Sequence, residues 1–332
     1  MKYTILLFVI GFIAVSACQP LKPAQVDAPV NEQVPDGEGQ PGDKLALVPN
    51  NKEDIVFMEE SSALPAWIPT VESGGTPWFQ DLYITRSDDG IQFSGGQLFI
   101  PHAGVGHLMV TNGGTLIATF QYFSYQHKAL FDRIAYVTSD DQGQSWSSVR
   151  LVKIDLPMPG PTAVDPTLMQ LADGSLRLFF TYHAHGEAFP QLHTATADEI
   201  DGVFNWDGKA LETEQVVLDP AVVYFDDIWH HYTTSHDEEA GGINNNVHSI
   251  SKDGLRFEQV DDIPLAISFL GDVIPVDGGL RFYGDNAVAF SADGYTWEIE
   301  EQNISLGNDP GVVQLADGNF LAIYTVHHEK RP

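Results

Sequence analysis

Three aspartates open apolar segments of this chain in similar phrases, and carboxyl groups are the acids and bases of many hydrolytic reactions. Asp165, Asp219 and Asp309 each precede a proline, while His107 and Asp272 open two comparable segments. If these starts lie together around one axis, the carboxyl groups raise one another's pKa values. Such a cluster suits cleavage of a glycosidic bond, which needs one carboxylic acid and one carboxylate.

Further polar side chains follow the second apolar run of these segments. Because a chain of antiparallel strands reverses at each turn, the end of the second strand lies on the same face as the start of the first. We therefore expect a substrate-binding face that contains these side chains as well as the openings. Its predicted substrate-binding residues are His107, Tyr125, His127, Tyr182, His183, His185, His236, Glu238, Asp272 and His327.

The segments themselves repeat a pattern. Residues 165–178 and 309–322 are near copies, and looser copies occur at 107–122, 219–233 and 272–283. Each contains an apolar alternation, a turn with Gly or Asp, and a second alternation, which predicts a β-hairpin. A repeat of this kind indicates modules that bury their apolar faces against one another.

A second repeated phrase lies between the hairpins. Its complete copy is 139–146, with shorter relatives at 87–93, 251–257 and 291–297. Ser and Asp in it can bond to the turn backbone, and Gly can adopt a positive φ. The phrase resembles the Asp-box of sialidase-like β-propellers. This resemblance implies a propeller in which the box aspartates are structural.

Hairpin and box alternate, so one unit contains four strands, as a propeller blade does. We predict an all-β, five-bladed β-propeller over residues 82–332. The chain enters on two strands at 82–100, and the C-terminal hairpin at 309–326 would complete that blade and close the ring. The unit around Trp206 has a degenerate box and a longer insertion, so six blades are the alternative count.

The blade openings at Asp165, Asp219 and Asp309 also resemble those of five-bladed arabinanase and β-xylosidase-type hydrolases and of the invertase-like group. In those families a base Asp, a pKa-tuning Asp and an acid Glu open three blades. The resemblance therefore implies catalytic roles for the three aspartates. No blade here opens with glutamate, so the acid would be Glu187, Glu238 or one of the aspartates. We predict a hydrolase of neutral glycans.

Three alternatives stay open. A sialidase would hold a carboxylate with three arginines, and of the seven arginines only Arg133 is well placed on the predicted site face. A polysaccharide lyase could use His127 and Tyr125 but would favour more positive charge. A cell-surface propeller could also bind or assemble glycans without chemistry. The reaction requires no cofactor, although a structural Ca²⁺ could occupy the axis.

The N-terminus predicts a bacterial lipoprotein. Residues 1–17 form a signal peptide with an apolar core too short to span a membrane. Cys18, the only cysteine, ends a lipobox-like sequence and is the predicted lipidation site. Residues 18–50 are rich in Pro, Gln, Asp and Gly and read as a disordered tether, and 51–81 as a lead-in packed on the propeller. Gln19 after the cysteine favours the outer membrane, facing the periplasm or the cell surface.

The formal net charge is −30, from 46 acidic and 16 basic residues. Such a surface repels nucleic acid and anionic polymers, within a Debye length of ~8 Å at physiological salt. We expect a carbohydrate partner, no nucleic acid, membrane contact through the lipid anchor alone, and a monomer.

Overall fold

The computed structural model describes residues 79–124, 131–157, 162–237, 242–284 and 286–328. These residues form strands and turns without a helix. The chain begins on β1 (Gln80–Ser87) and β2 (Ser94–Ile100). Four sheets follow in chain order. The first contains β3 (Ala103–Val110), β4 (Leu116–Phe123), β5 (Phe131–Ser139) and β6 (Arg150–Leu151).

The second sheet has five strands, because β7 joins its outer edge in parallel. Its members are β7 (Lys153–Asp155), β8 (Val164–Gln170), β9 (Leu176–Tyr182), β10 (Gln191–Ala197) and β11 (Val203–Lys209). The third contains β12 (Ala221–Phe225), β13 (Ile228–Asp237), β14 (Gly242–Ser251) and β15 (Glu258–Gln259). The fourth contains β16 (Asp272–Val276), β17 (Gly279–Gly284), β18 (Ala287–Ser291) and β19 (Glu298–Gln302).

The last two strands close the ring. β20 (Asn308–Gln314) and β21 (Phe320–His327) form one sheet with the first two strands, in the order β2-β1-β21-β20. β21 pairs with β1 without interruption, from Gln80 opposite His327 to Ser87 opposite Phe320. The five sheets are the five blades of a β-propeller, as predicted, and the six-blade count is wrong for the described residues. The four sheets that follow β2 are the first to fourth blades in the order given above, and the sheet that contains β1 and β20 is the fifth blade. Its first strand in the chain begins at Gln80, two residues before the predicted start at Leu82.

The repeated serine–aspartate phrases form four similar turns. Ser139 Oγ donates to Asp141 Oδ1 over 2.7 Å and accepts from the Gly143 amide over 2.9 Å. Burial alone would raise the pKa of Asp141, but hydrogen bonds from Ser145, Ser139 and Gln144 lower that pKa to about 2. The turns at Ser87, Ser251 and Ser291 have the same serine bonds. These ionised aspartates hold turn backbone, so they are structural.

The apolar core lies between neighbouring blades. Between the third and fourth blades, Tyr232, Phe269, Phe282 and Trp297 pack ring against ring, with centroid distances from 4.2 to 6.3 Å. Enclosed aromatic pairs of this kind contribute about 0.5–1.5 kcal/mol each beyond their buried area. This packing fixes each blade against the next and so fixes where the innermost strands begin.

Several predictions lie outside the described residues, namely the signal peptide, Cys18, the tether and the lead-in up to residue 78. Within the described ranges, no helix is both long and apolar enough to cross a membrane.

Candidate active site

Three aspartates share one unusual backbone conformation at the start of three innermost strands. Asp165, Asp219 and Asp309 have φ values of 53°, 44° and 46°, in the left-handed region that aspartate tolerates better than most side chains. β8 and β20 have a register irregularity at this point, next to the following proline. The repeated Asp-Pro phrase therefore encodes a bulge that turns the aspartate out of the ladder.

His107 and Asp272 lie deeper than these aspartates, which corrects the expectation that all five residues are equivalent. In the first blade His107 pairs with Thr119, and in the fourth Asp272 pairs with Tyr283. The corresponding pair in the second blade is Thr167 with Phe179, two residues beyond Asp165. The axis thus has an upper layer of three aspartates and a lower layer that contains His107 and Asp272.

Asp165 and Asp219 form a carboxyl pair in the upper layer. The Asp219 amide donates to Asp165 Oδ2 over 3.4 Å, and the two side chains are also hydrogen-bonded. Asp165 is 7% exposed. Burial, with a smaller repulsion from Asp132, raises the pKa of Asp165 to about 6, although the nearby Thr181 hydroxyl and the hydrogen bonds from Asp219 oppose the rise. The pair therefore retains a shared proton up to about pH 6, well above the usual range of an aspartate.

His107 and Asp272 form the second axial pair. His107 Nε2 lies 3.7 Å from Asp272 Oδ1, and His107 Nδ1 accepts from the Leu168 amide over 3.3 Å. Because Nδ1 is an acceptor, the imidazole is neutral with its proton on Nε2. Burial lowers the pKa of His107 to about 3 and raises the pKa of Asp272 to about 7. Asp272 also accepts from the Val273 and Val312 amides, over 2.8 and 2.9 Å.

The two layers meet in a small pocket on the axis. It is lined by Val105, Gly106, His107, Asp165, Pro166, Thr167, Asp219, Pro220, Gly271 and Asp309. The structure therefore brings together Asp165, Asp219, Asp309 and His107, with Asp272 beneath them. No arginine is among these described lining residues.

Glu187 lies in a different group of side chains. Its Oε2 accepts from the Ala184 amide over 2.9 Å and lies 3.3 Å from His193 Nε2. Its Oε1 lies 3.6 Å from the Nζ atom of Lys209, the last residue of β11. Glu187 does not line the axial pocket. Its geometry is that of a structural carboxylate, and it does not support the predicted acid role.

The other predicted substrate-binding residues are dispersed. Tyr182 is 2% exposed and packs edge-on against His193, so it belongs to the core of the second blade. His183 donates to the Glu187 carbonyl over 2.9 Å, and His185 and His327 are exposed. Tyr125, His127, Glu238 and the side chain of His236 lie outside what the structure describes.

Two aspartates that the sequence reasoning missed lie near the site face. Asp132 accepts from Gln121 Nε2 and Thr162 Oγ1 and acts on the pKa of Asp165. Asp81 accepts from His328 Nε2 over 2.8 Å and from the His102 amide over 2.7 Å. Neither aspartate opens a blade, so the repeat pattern gave no signal for them. The described residues contain no group of three or more His, Cys, Asp or Glu side chains placed to hold a metal ion.

Comparisons with known proteins are consistent with this architecture. No family model matches the chain, and no curated protein matches it. The β-xylosidase RS223 matches with a TM-score of 0.50 at 12% identity, covering 68% of this chain and 92% of that one. CoXyl43, a GH43 β-xylosidase/α-arabinofuranosidase from a compost microbial metagenome, matches with 0.50 at 14% identity, covering 68% and 90%.

A third solved structure is Zg3597, a family 117 glycoside hydrolase produced by the marine bacterium Zobellia galactanivorans. It matches with a TM-score of 0.45 at 15% identity and covers 74% of this chain and 90% of that one. The similarity of the two β-xylosidase structures, at 12% and 14% identity, supports the propeller fold alone.

Proposed function

We propose that the protein is a glycoside hydrolase that cleaves a neutral glycan at the axial pocket. The observation that carries the proposal is the hydrogen-bonded Asp165–Asp219 pair, in which the raised pKa of Asp165 keeps a proton available up to about pH 6. Two solved propellers of similar fold are a β-xylosidase and a β-xylosidase/α-arabinofuranosidase, which supports the same class of substrate. The net charge of −30 favours a neutral sugar over an anionic one.

The arrangement of blades suggests the roles. Asp165 and Asp219 are too close to flank a glycosidic bond, because even retaining enzymes separate their two carboxyl groups by about 5–5.5 Å. We assign the pair the role of proton donor. Asp309 opens the fifth blade, which is adjacent to neither the second nor the third around the ring. It is the proposed base that activates water, and the inverting mechanism would need a separation of ~6.5–9.5 Å.

The test compares three variants with a matched control. Asp165→Asn, Asp219→Asn and Asp309→Asn should each reduce turnover of a neutral glycoside by about 10²–10⁴-fold, the usual contribution of general acid–base catalysis. Asp317→Asn alters an exposed turn aspartate and should leave turnover unchanged. Aryl xylosides, arabinosides, fucosides, galactosides and a sialoside form the substrate panel. Turnover of the sialoside alone would contradict the proposal.

The second candidate is a propeller that binds glycans without cleaving them. The position of Glu187 favours it, since the expected glutamate acid is bonded to His193 and Lys209 instead of lining the pocket. Binding on a glycan array that the three Asn variants lose, with no turnover by the wild type, would select this candidate.

The cellular setting is also proposed from the sequence. We infer that the serine–aspartate turns are Asp-boxes, that Cys18 is lipidated and that the propeller is attached to the outer membrane. No cofactor takes part in the proposed reaction, and a structural Ca²⁺ at the axis stays a prediction.

A further inference from the structure

The loop between β9 and β10 presents an aromatic side chain on the pocket side of the propeller. β8 starts at the axial pocket, and the antiparallel β9 returns to the same face, so residues 183–190 lie on that face. Phe189 in this loop is 41% exposed. A single exposed phenylalanine is common on protein surfaces. What distinguishes Phe189 is the rigidity of the loop that holds it.

Glu187 fixes the loop to the blade behind it. Trp206 Nε1 donates to His193 Nδ1 over 3.2 Å, so the His193 proton is on Nε2 and points at Glu187 Oε2. The His193 ring lies close to the rings of Trp206 and Phe180 and nearly parallel to them, with interplanar angles of 18° and 28°. The Lys209 ammonium, which is 30% exposed, lies 3.6 Å from the other carboxylate oxygen of Glu187, Oε1. This chain of contacts leaves Glu187 little freedom to move.

The backbone of the loop is tied down as well. The Glu187 amide donates to the Ala184 carbonyl over 3.1 Å, which closes a turn. Gly186 has a φ of 95° in that turn, a conformation that glycine adopts without strain. The Ala184 amide and His183 Nε2 both bond to Glu187. A loop held in this way loses little conformational entropy when a ligand binds.

We propose that residues 183–190 form a preformed outer sugar subsite, in which Phe189 stacks on a ring of a neutral oligosaccharide bound at the axis. This inference rests on the proposed function. Phe189 immediately precedes Pro190 and β10, and β10 lies two strands from β8, so the lateral separation from the Asp165 strand is about 10 Å. An oligosaccharide can span that distance, whereas a monosaccharide cannot. Glu187 is in this account a positioning residue.

The expected effect follows from the exposed area. A phenylalanine buries about 150–250 Å² when enclosed, so covering two-fifths of it removes roughly 60–100 Å² from water. At ~25 cal/mol per Å² of apolar area, the loss of that contact corresponds to a weakening of roughly 10-fold or more in Kd. The weakening should occur only for ligands long enough to reach the loop.

The experiment measures binding by calorimetry and turnover for xylo- and arabino-oligosaccharides of increasing length, with the aryl monosaccharide as the short substrate. Phe189→Ala should raise Kd and KM roughly 10-fold for the longer members and leave the aryl monosaccharide unchanged. Tyr224→Ala is the matched control, because Tyr224 is 47% exposed at the far end of β12, on the opposite face. Glu187→Gln should show the same length dependence in weaker form.

Equal affinity of wild type and Phe189→Ala for every length would overturn the inference while leaving the proposed hydrolase intact. Loss of turnover by Phe189→Ala on the aryl monosaccharide would also overturn it, because that substrate does not reach the loop. Conversely, full turnover by Asp219→Asn would refute the proposed catalysis without affecting a length-dependent Phe189 result. A wild type that binds no oligosaccharide in the panel overturns the subsite as well.

Discussion

Replacing Asp165 by Asn should separate stability from activity. Burial raises the pKa of Asp165 from 3.8 to about 6, so ionising it costs the folded protein about 3 kcal/mol at neutral pH. A carboxyl group with a raised pKa binds its proton more tightly in the folded state than in the unfolded state. The stability that Asp165 contributes through this tighter proton binding is therefore fully present below about pH 4 and is lost as the pH rises through about 6. Asn at this position never ionises and can donate to the Asp219 carboxylate.

We therefore expect Asp165→Asn to raise the free energy of unfolding at pH 7 by about 1–3 kcal/mol and to show no such gain at pH 4. Thermal or urea unfolding between pH 4 and 8 measures the difference, in which contributions from titrating groups that do not interact with Asp165 cancel. Turnover should fall at the same time, since the proposed proton donor has lost a carboxyl group.

Asp272→Asn is the contrasting variant. In the wild type, the two carboxyl oxygens of Asp272 accept from two different backbone amides, those of Val273 and Val312. Asn offers one acceptor and places an NH₂ group against the second amide, which should cost about 1–3 kcal/mol. The comparison is made at pH 4, where this cost stands alone, because the pKa of Asp272 of about 7 leaves the wild-type carboxyl group uncharged there. A loss of stability by Asp165→Asn as large as that of Asp272→Asn, with no dependence on pH, would refute the reasoning about the upper pair.

The remaining predictions concern the ring and its anchor. Deleting residues 309–332 removes β20 and β21 and should abolish cooperative unfolding, because β1 and the apolar blade faces lose their partners; a soluble, cooperatively melting product would contradict closure by these strands. Ser139→Ala leaves the buried Gly143 amide without its acceptor and should lower the unfolding free energy by about 1–3 kcal/mol, as measured by urea titration, with an unchanged value as the refuting result. Cys18→Ser should release the protein from membranes and remove the acyl mass seen by mass spectrometry, and continued membrane fractionation would refute lipidation.

The ring could be predicted from sequence because its signals are local and repeated. Each hairpin and each serine–aspartate turn is specified by adjacent residues. Counting the strands then predicts that the last hairpin shares one blade with the first two strands of the ring. The closure is visible in the chain because the copy at 309–322 lacks the two strands that residues 80–100 supply. Repetition turned weak local patterns into a strong prediction.

The depth of each axial side chain could not be predicted in the same way. A bulge adds length to an innermost strand without changing the apolar pattern, so His107 and Asp165 looked equivalent although His107 lies two residues deeper. The partners of Glu187 were also invisible, since His193 and Lys209 meet it only after three strands have paired. Aspartates outside the repeat, such as Asp132, had no pattern to mark them.

The most direct test of the central claim is the pH dependence of kcat/KM on a neutral aryl glycoside, compared between wild type and Asp165→Asn. The account predicts that wild-type kcat/KM falls as the pH rises above about 6, when the Asp165–Asp219 pair loses its shared proton. Asp165→Asn should move this decline to lower pH, because the remaining Asp219 carboxyl group no longer shares a site with a second carboxylate and ionises more readily. An unchanged profile, with the same alkaline limb in both proteins, would contradict the assignment of the pair as the proton donor.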